Sequence, residues 1–215
     1  CCELLIGRLV WCERCRCFVF VVFGVTLSFS NLFNYITTSD VKIKCGTKTF
    51  FCHRAILSAR SPVFRAMLQA DMEEKRDGIV EIRDFSPDVV EAMLLFIYTA
   101  ATASYEKKQQ DNFSELLKAG DQYQLDLLKA TCEEVLCCDL EVENCLIFLI
   151  IGDMYQAEKL KKRSMKLFVE NMIKVIHGSA DDWNKCVKSH PDLTVEITEE
   201  MARRQCTDEN VYENA

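Results

Sequence analysis

The residues able to carry chemistry are few, and their spacing does not assemble a site. Three histidines, His53, His177 and His190, stand far apart. None falls in an H-x-x-x-H or H-E-x-x-H step, which would put two imidazoles on one helix face for zinc. No nucleophile elbow, Walker loop or dinucleotide-binding glycine pattern occurs, and seven glycines in 215 residues leave little for a loop that cradles phosphate. Acids are plentiful, but no two read as a catalytic couple. His53 follows one apolar stretch and opens the next, which favours a hydrogen-bonded structural role. Among thirteen cysteines, Cys12, Cys15 and Cys17 have ligand-like spacing, yet no second ligand pair follows them. Cys132, Cys137, Cys138 and Cys145 lie in or beside apolar helical stretches. A disulfide scaffold is short and loop-rich, so these read as buried thiols of a reducing compartment. The expectation is a protein that is not an enzyme and needs no cofactor or metal.

Composition agrees with a globular domain. Apolar residues make up 49% and charged residues 27%, enough for a buried core, and the formal net charge is -7. That acidic balance leaves no excess of cations to neutralise phosphates, so no nucleic-acid partner is expected. Residues 1–28 differ from the rest. They hold five cysteines and an apolar run from Phe18 to Val25, with neither helical nor strand period. Three readings stand: a stretch foreign to the domain that follows it, a targeting or membrane segment, or a small metal-bearing structure. The first is taken forward, because Thr26, Ser28 and Ser30 end the run short of the ~20 apolar residues that span a bilayer. No membrane partner is therefore expected.

From Asp40 the pattern becomes regular. Val41 to Cys45 alternates apolar and polar, Gly46-Thr47-Lys48 reads as a turn, and Thr49 to Cys52 as the returning strand. His53 to Ala59 reads as a helix. Ser61-Pro62 and Ser86-Pro87 each pair a capping hydroxyl with a proline that gives up no needed N–H. Ile79 to Ile82 is a third strand. Asn112 and Glu115 suggest a capping box for a helix carrying Leu116 and Leu117. Further helices are marked by Leu125 to Leu136, by Val142 to Met154, apolar enough to be wedged between neighbours, and by Ala157 to Ile176. The run Lys159, Lys161, Lys162, Arg163 and Lys166 reads as a solvated helix face. The tail after Arg204 is polar and expected to be disordered. Few strands followed by many helices imply α+β rather than a parallel βαβ sheet, with no internal repeat of fixed period.

These pieces, in this order, resemble a known family. Ser39-Asp40-Val41, then Phe50-x-x-His53-Arg54-Ala55-Ile56-Leu57-Ser58-Ala59-Arg60-Ser61-Pro62-Val63-Phe64, is similar to the signature of BTB/POZ domains. Met72-Glu73-Glu74, Val80-Glu81-Ile82, Phe96-Ile97-Tyr98-Thr99 and Leu116 to Leu125 continue it. Leu140-x-Val142-Glu143-Asn144 and Ser189-His190-Pro191 resemble the extension of the speckle-type POZ protein group. The resemblance implies a BTB/POZ fold, a small three-stranded sheet with a helical cluster, followed by an all-α BACK-like or three-box extension. It divides the chain into unassigned residues 1–28, a BTB domain at 29–138, the extension at 139–204 and a disordered tail at 205–215.

The resemblance also implies roles. Self-association into a homodimer would use Phe29, Leu32 and Phe33, the helix after His53, and a charged pair, Asp40 and Arg54. The cullin-3 N-terminal domain would bind across Phe64, Met67, Met72, Glu73 and Glu74, with Leu146 and Ile150 completing a groove. The implied function is a dimeric adaptor that brings a still unknown substrate protein to a cullin-3 ubiquitin ligase, in the nucleus, the cytoplasm or both. The alternative is a dimerisation scaffold with no ligase role. The chain departs from the family at Ala100, where glycine is usual, and at Phe51 and Cys52. Residues before Phe29 match nothing in the family, and no substrate-binding MATH domain is seen there.

Overall fold

Alternation along Val41–Cys45 is the local cause of the sheet. Val41, Ile43 and Cys45 are buried while Lys42 and Lys44 face solvent. The computed structural model describes the backbone of residues 8–12, 17–21, 30–69, 78–100 and 110–212, and the side chains of 30–69, 78–100 and 113–204. It holds strands β1 (Arg8–Cys12) and β2 (Cys17–Val21), which pair antiparallel with each other. The absence of strand period expected for residues 1–28 is thus corrected at these ten positions. Val, Phe and Leu favour extended backbone without needing one wet face.

β3 (Val41–Cys45) and β4 (Lys48–Cys52) form an antiparallel hairpin through a two-residue turn, Gly46-Thr47, in which Gly46 adopts φ +55. β5 (Ile79–Glu81) then joins β3 in parallel, giving the order β4-β3-β5. The sheet is mixed, so one parallel pair exists where none was expected. The chain crosses from β4 to β5 through α1 (Arg54–Arg60) and α2 (Pro62–Gln69). α3 (Pro87–Thr99) follows, capped by Ser86 Oγ, which accepts from the Val89 N–H at 3.4 Å. Lys48 Nζ reaches Asp88 (2.8 Å) and Glu91 (3.1 Å) on α3, tying the hairpin turn to the helix start. α3 ends at Ala100 with φ +51, the left-handed conformation that the family's glycine would adopt without strain.

α4 (Gln110–Gln122) begins before Asn112, which therefore lies within the first turn and does not cap it. α5 (Asp126–Cys138), α6 (Cys145–Met154), α7 (Glu158–Gly178), α8 (Ala180–Ser189) and α9 (Pro191–Tyr212) complete the order. α9 stays helical past Arg204, where a disordered tail was expected. The pairs Glu199–Arg203 and Glu200–Arg204 stabilise the turn that leads into this last stretch. α7 bends at Asn171 (φ -124, ψ 19), whose amide donates to the Leu167 carbonyl.

The chain separates into two units, Cys1–Val135 and Leu136–Ala215. The first unit's core joins the sheet to α1–α5 through Ile43, Leu57, Phe64, Met93, Leu94, Ile97, Leu117 and Leu128. The second has its own core of Cys145, Leu146, Leu149, Phe168, Val175, Cys186, Leu193 and Ile197.

One pattern corrects the expectation that no repeat is present. Gly120-Asp121-x-Tyr123-Gln124, with Leu128 and Lys129, recurs 32 positions on (120 to 152) as Gly152-Asp153-x-Tyr155-Gln156, with Leu160 and Lys161. The two copies fold alike. Gln124 and Gln156 both adopt φ +51. The N–H groups of Leu125 and Ala157 donate to the Gly120 and Gly152 carbonyls at 2.7 and 2.8 Å. Lys129 reaches Asp121 at 2.6 Å, and Lys161 reaches Asp153 at 2.8 Å.

Candidate protein-interaction site

Three places were expected to meet partners, and the structure treats each differently. The first precedes the sheet. Asn34, at φ +60, donates its N–H to the Phe51 carbonyl (3.0 Å) and accepts the Phe51 N–H on Oδ1 (3.0 Å). This bracket fixes residues 30–38 along the outer edge of β4. Phe33 then lies over Phe50 (6.3 Å) and Tyr98 (5.4 Å) of its own unit, half-buried, and Leu32 is half-buried too. Phe33 therefore serves the fold of its own chain as well as any contact. Phe29 lies outside the described residues. Tyr35 and Ile36, not singled out from the sequence, are 51% and 67% exposed.

Asp40 and Arg54, expected as a charged pair of the dimer contact, lie together within their own chain through the backbone. Asp40 Oδ1 accepts the Arg54 N–H at 2.7 Å, so a carboxylate fourteen residues away satisfies a donor at the start of α1. Arg54 Nε also donates to the Asp40 carbonyl at 3.3 Å. His53 is structural. Its N–H donates to Tyr98 Oη (2.8 Å), its Nδ1 lies 3.0 Å from the same oxygen, and its Nε2 lies 2.9 Å from Thr38 Oγ1. Burial pushes the Cys52 thiol up to about 12, partly offset by its hydrogen bond to Tyr98, and burial raises Tyr98 itself. An apolar groove of ≈ 220 Å³ opens beside this network, lined by Ala55, Ile56, Ala59, Arg60, Ile97 and Tyr98.

The second place is α2. Ser61 Oγ accepts the Phe64 N–H (3.1 Å) and donates to the Tyr123 carbonyl (2.7 Å), joining the helix start to the turn after α4. Phe64 is fully buried and stacks on Tyr123 at 4.7 Å. The expectation that Phe64 meets a partner is thereby corrected: helical spacing marks an apolar face without telling core from contact. Met67 is half-buried and remains at the surface. Met72, Glu73 and Glu74 lie outside the described residues. Burial pushes the Tyr123 hydroxyl up to about 12, with Asp84 and Cys45 adding to the rise.

The third place is α6. Leu146 is buried in the core of its unit and cannot complete a groove, a second correction. Ile150 is half-buried and lines a hollow of ≈ 180 Å³ with Ile147, Ile151, Asp182, Lys185, Cys186, Ser189 and His190. Ile147 is 48% and Met154 53% exposed, so within its unit α6 is not wedged on every side. A signal for this lay in the unnoticed repeat. At the positions equivalent to Ile147, Ile150 and Met154, α4 carries Glu115, Lys118 and Gln122, with Glu115 and Lys118 paired at 3.8 Å. Three positions that are polar in one copy are apolar in the other.

Among the described residues no group of three His, Cys, Asp or Glu could hold a metal ion, and no helix is long and apolar enough to cross a membrane. Cys45, Cys52, Cys132, Cys145 and Cys186 are buried. Compared with known proteins, the chain is similar to a solved structure titled the BTB domain of zebrafish PATZ1. The match has 26% identity, covers 46% of this chain and 75% of that one, and has a TM-score of 0.38. A family model for the BTB/POZ domain matches residues 29–140. That family's domain is a protein-interaction and dimerisation module and is generally not an enzyme. With over half its length matched and the sheet-and-helix order in place, the chain belongs to the BTB/POZ domain family.

Proposed function

We propose that this protein is a dimeric adaptor that carries the cullin-3 N-terminal domain and so brings a substrate protein to a ubiquitin ligase, in the nucleus, the cytoplasm or both. In this reading it belongs with the speckle-type POZ protein group, and the second unit is its BACK-like extension. The observation that supports it most is the apolar outer face of α6. Ile147 and Met154, both exposed, stand where the matching helix α4 has Glu115 and Gln122. An exposed apolar face beside a hollow favours a partner's apolar segment. Within the first unit, Met67 at the surface of α2, followed in sequence by the Met72-Glu73-Glu74 motif, is a second place proposed for the cullin.

Calorimetry against the cullin-3 N-terminal domain tests this. Met72→Ala with Glu74→Ala should weaken binding about thirtyfold, as truncated anchors commonly do. Ile147→Asp should weaken it about tenfold by placing a charge in the apolar contact. Ile147→Asp should stay folded, because Ile147 is exposed, and a far-ultraviolet spectrum checks the fold of the Met72/Glu74 variant. Absence of binding by a folded, dimeric wild type would end the adaptor reading in favour of a self-associating scaffold. Unweakened binding by either variant would move the cullin contact away from the substituted residues.

A further inference from the structure

The cationic run on α7, expected to be one solvated face, divides. Lys161 turns inward: its side chain is 18% exposed, and Nζ donates to Asp153 at 2.8 Å and to Glu196 at 2.6 Å. Lys162 and Lys166 instead stand on the wall of a cleft of ≈ 280 Å³ between α7 and α9. Arg203 and Arg204 face them from α9, with Glu200 between. That one carboxylate serves both guanidiniums, at 2.8 Å from Arg203 and 3.3 Å from Arg204. Among the described residues, Lys166 has only Glu170 within ion-pair range, at 4.0 Å, and that carboxylate already receives Arg204 Nη1 at 3.3 Å. Lys162 is exposed and has no ion-pair partner among the described residues; nor has Glu158, one turn before it. The cleft thus runs from an acidic end at Glu158 to a cationic end where acids are shared. Exposed pairs as loose as Lys166–Glu170 contribute little, so this lysine changes partner at small cost.

We propose that this cleft is a docking site for an acidic, extended peptide segment of a partner protein, with Lys162 and Lys166 as its charge-reading residues. Two lysines four apart on a helix lie on one face, about 6 Å from each other. Carboxylates two apart on an extended chain share a face at about 7 Å, so alternate acids fall in step with the lysines. Met165, 8% exposed, adds an apolar patch to the lining between them. A densely charged polyanion fits less well. Glu158, Glu196 and Glu200 stand in the same walls, and the whole chain carries a formal net charge of -7, which repels phosphate arrays. The cleft shares no residue with the hollow beside Ile147, so this docking does not depend on the cullin contact.

The test is fluorescence anisotropy of the full chain with a labelled Glu-Ser repeat peptide of about eight residues, long enough to run along the cleft. A Gln-Ser repeat of the same length is the uncharged control, and a labelled oligothymidylate is the second polyanion. Lys162→Gln with Lys166→Gln removes both charges, and Lys162→Arg with Lys166→Arg keeps them. Both lysines are exposed, so the fold should stand, and a far-ultraviolet spectrum checks it. The glutamine variant should bind the Glu-Ser peptide about fivefold or more weakly, and the arginine variant close to wild type. Wild-type binding should also weaken as salt is raised, more steeply than that of the glutamine variant. A wild type that ignores the Glu-Ser peptide, or binds the Gln-Ser peptide as well, would overturn the proposal. So would a glutamine variant that binds like wild type, or an arginine variant that binds no better than it. Oligothymidylate that binds more tightly than the peptide and is lost in the glutamine variant would overturn the peptide assignment in favour of nucleic acid.

Discussion

The hairpin α4–α5 and the hairpin α6–α7 turn through the same Gly-Asp-x-Tyr-Gln steps, but their surroundings differ. In the first, Tyr123 is buried, stacked on Phe64 and tilted against Phe85 at 6.4 Å, and its carbonyl receives the Ser61 hydroxyl. In the second, Tyr155 is half-exposed and the tie runs through charge: Lys161 Nζ bridges Asp153 (2.8 Å) and Glu196 (2.6 Å), joining α6, α7 and α9. The glycines differ too. A Cβ on Gly120 would meet the Lys129 backbone nitrogen at 3.2 Å, whereas one on Gly152 would meet that of Lys161 at 2.7 Å. One turn motif is thus locked by aromatic packing in the sheet-bearing unit and by close helix contact in the helical one.

Substitutions at matched positions should separate the two. The largest difference is expected at the tyrosines. Tyr123→Ala should cost about 3–5 kcal/mol in urea unfolding, while Tyr155→Ala should cost about 1 kcal/mol. Equal costs would mean that the burial of Tyr123 does not distinguish the turns. At the glycines the order reverses. Gly152→Ala should destabilise by about 2–3 kcal/mol because two backbones must part, and Gly120→Ala by about 1 kcal/mol or less. Thermal melts that rank Gly120→Ala as the worse would contradict the closer approach of α6 and α7.

The smallest effect concerns one buried atom. Ser164 is fully buried and its hydroxyl has no hydrogen-bond partner, while the equivalent position in α5 holds Cys132, also fully buried. Burial alone pushes the Cys132 thiol up to about 12, as an apolar site does. Ser164→Ala should therefore stabilise by about 1 kcal/mol, and Cys132→Ser should destabilise by a similar or somewhat larger amount. A loss on Ser164→Ala in denaturant titration would show that the hydroxyl has a role in its unit.

Much of this architecture was legible in the sequence. Val41 to Cys45 announced its strand by alternation, and Ser61-Pro62 and Ser86-Pro87 announced helix starts, because caps and period are local. The parallel pairing of β5 was not legible, since three residues carry no direction. The repeat escaped notice because its shared residues are turn-makers, while the core positions change identity, as from Cys132 to Ser164. The site was legible only in part. Phe64 and Leu146 were contacts only by what the family resemblance implies; an apolar residue at helical spacing looks the same from either side of a helix, and only their burial assigns them to the core. Ile147 and Met154 read as core for the same reason.

The Asn34 bracket has a consequence for how this chain survives at high concentration. A sheet edge with open N–H and C=O groups is a template for pairing with another chain, and Lys48-Thr49-Phe50-Phe51-Cys52 combines aromatic and β-branched residues in one such edge. Asn34 occupies both outward-facing groups of Phe51, one with its backbone and one with its side chain. It serves as a stopper against runaway strand addition, placed at the point where the edge is most aromatic. Loss of that side-chain amide would free the Phe51 N–H alone, since the Asn34 backbone N–H would still hold the Phe51 carbonyl, and would so open half of this point on the edge.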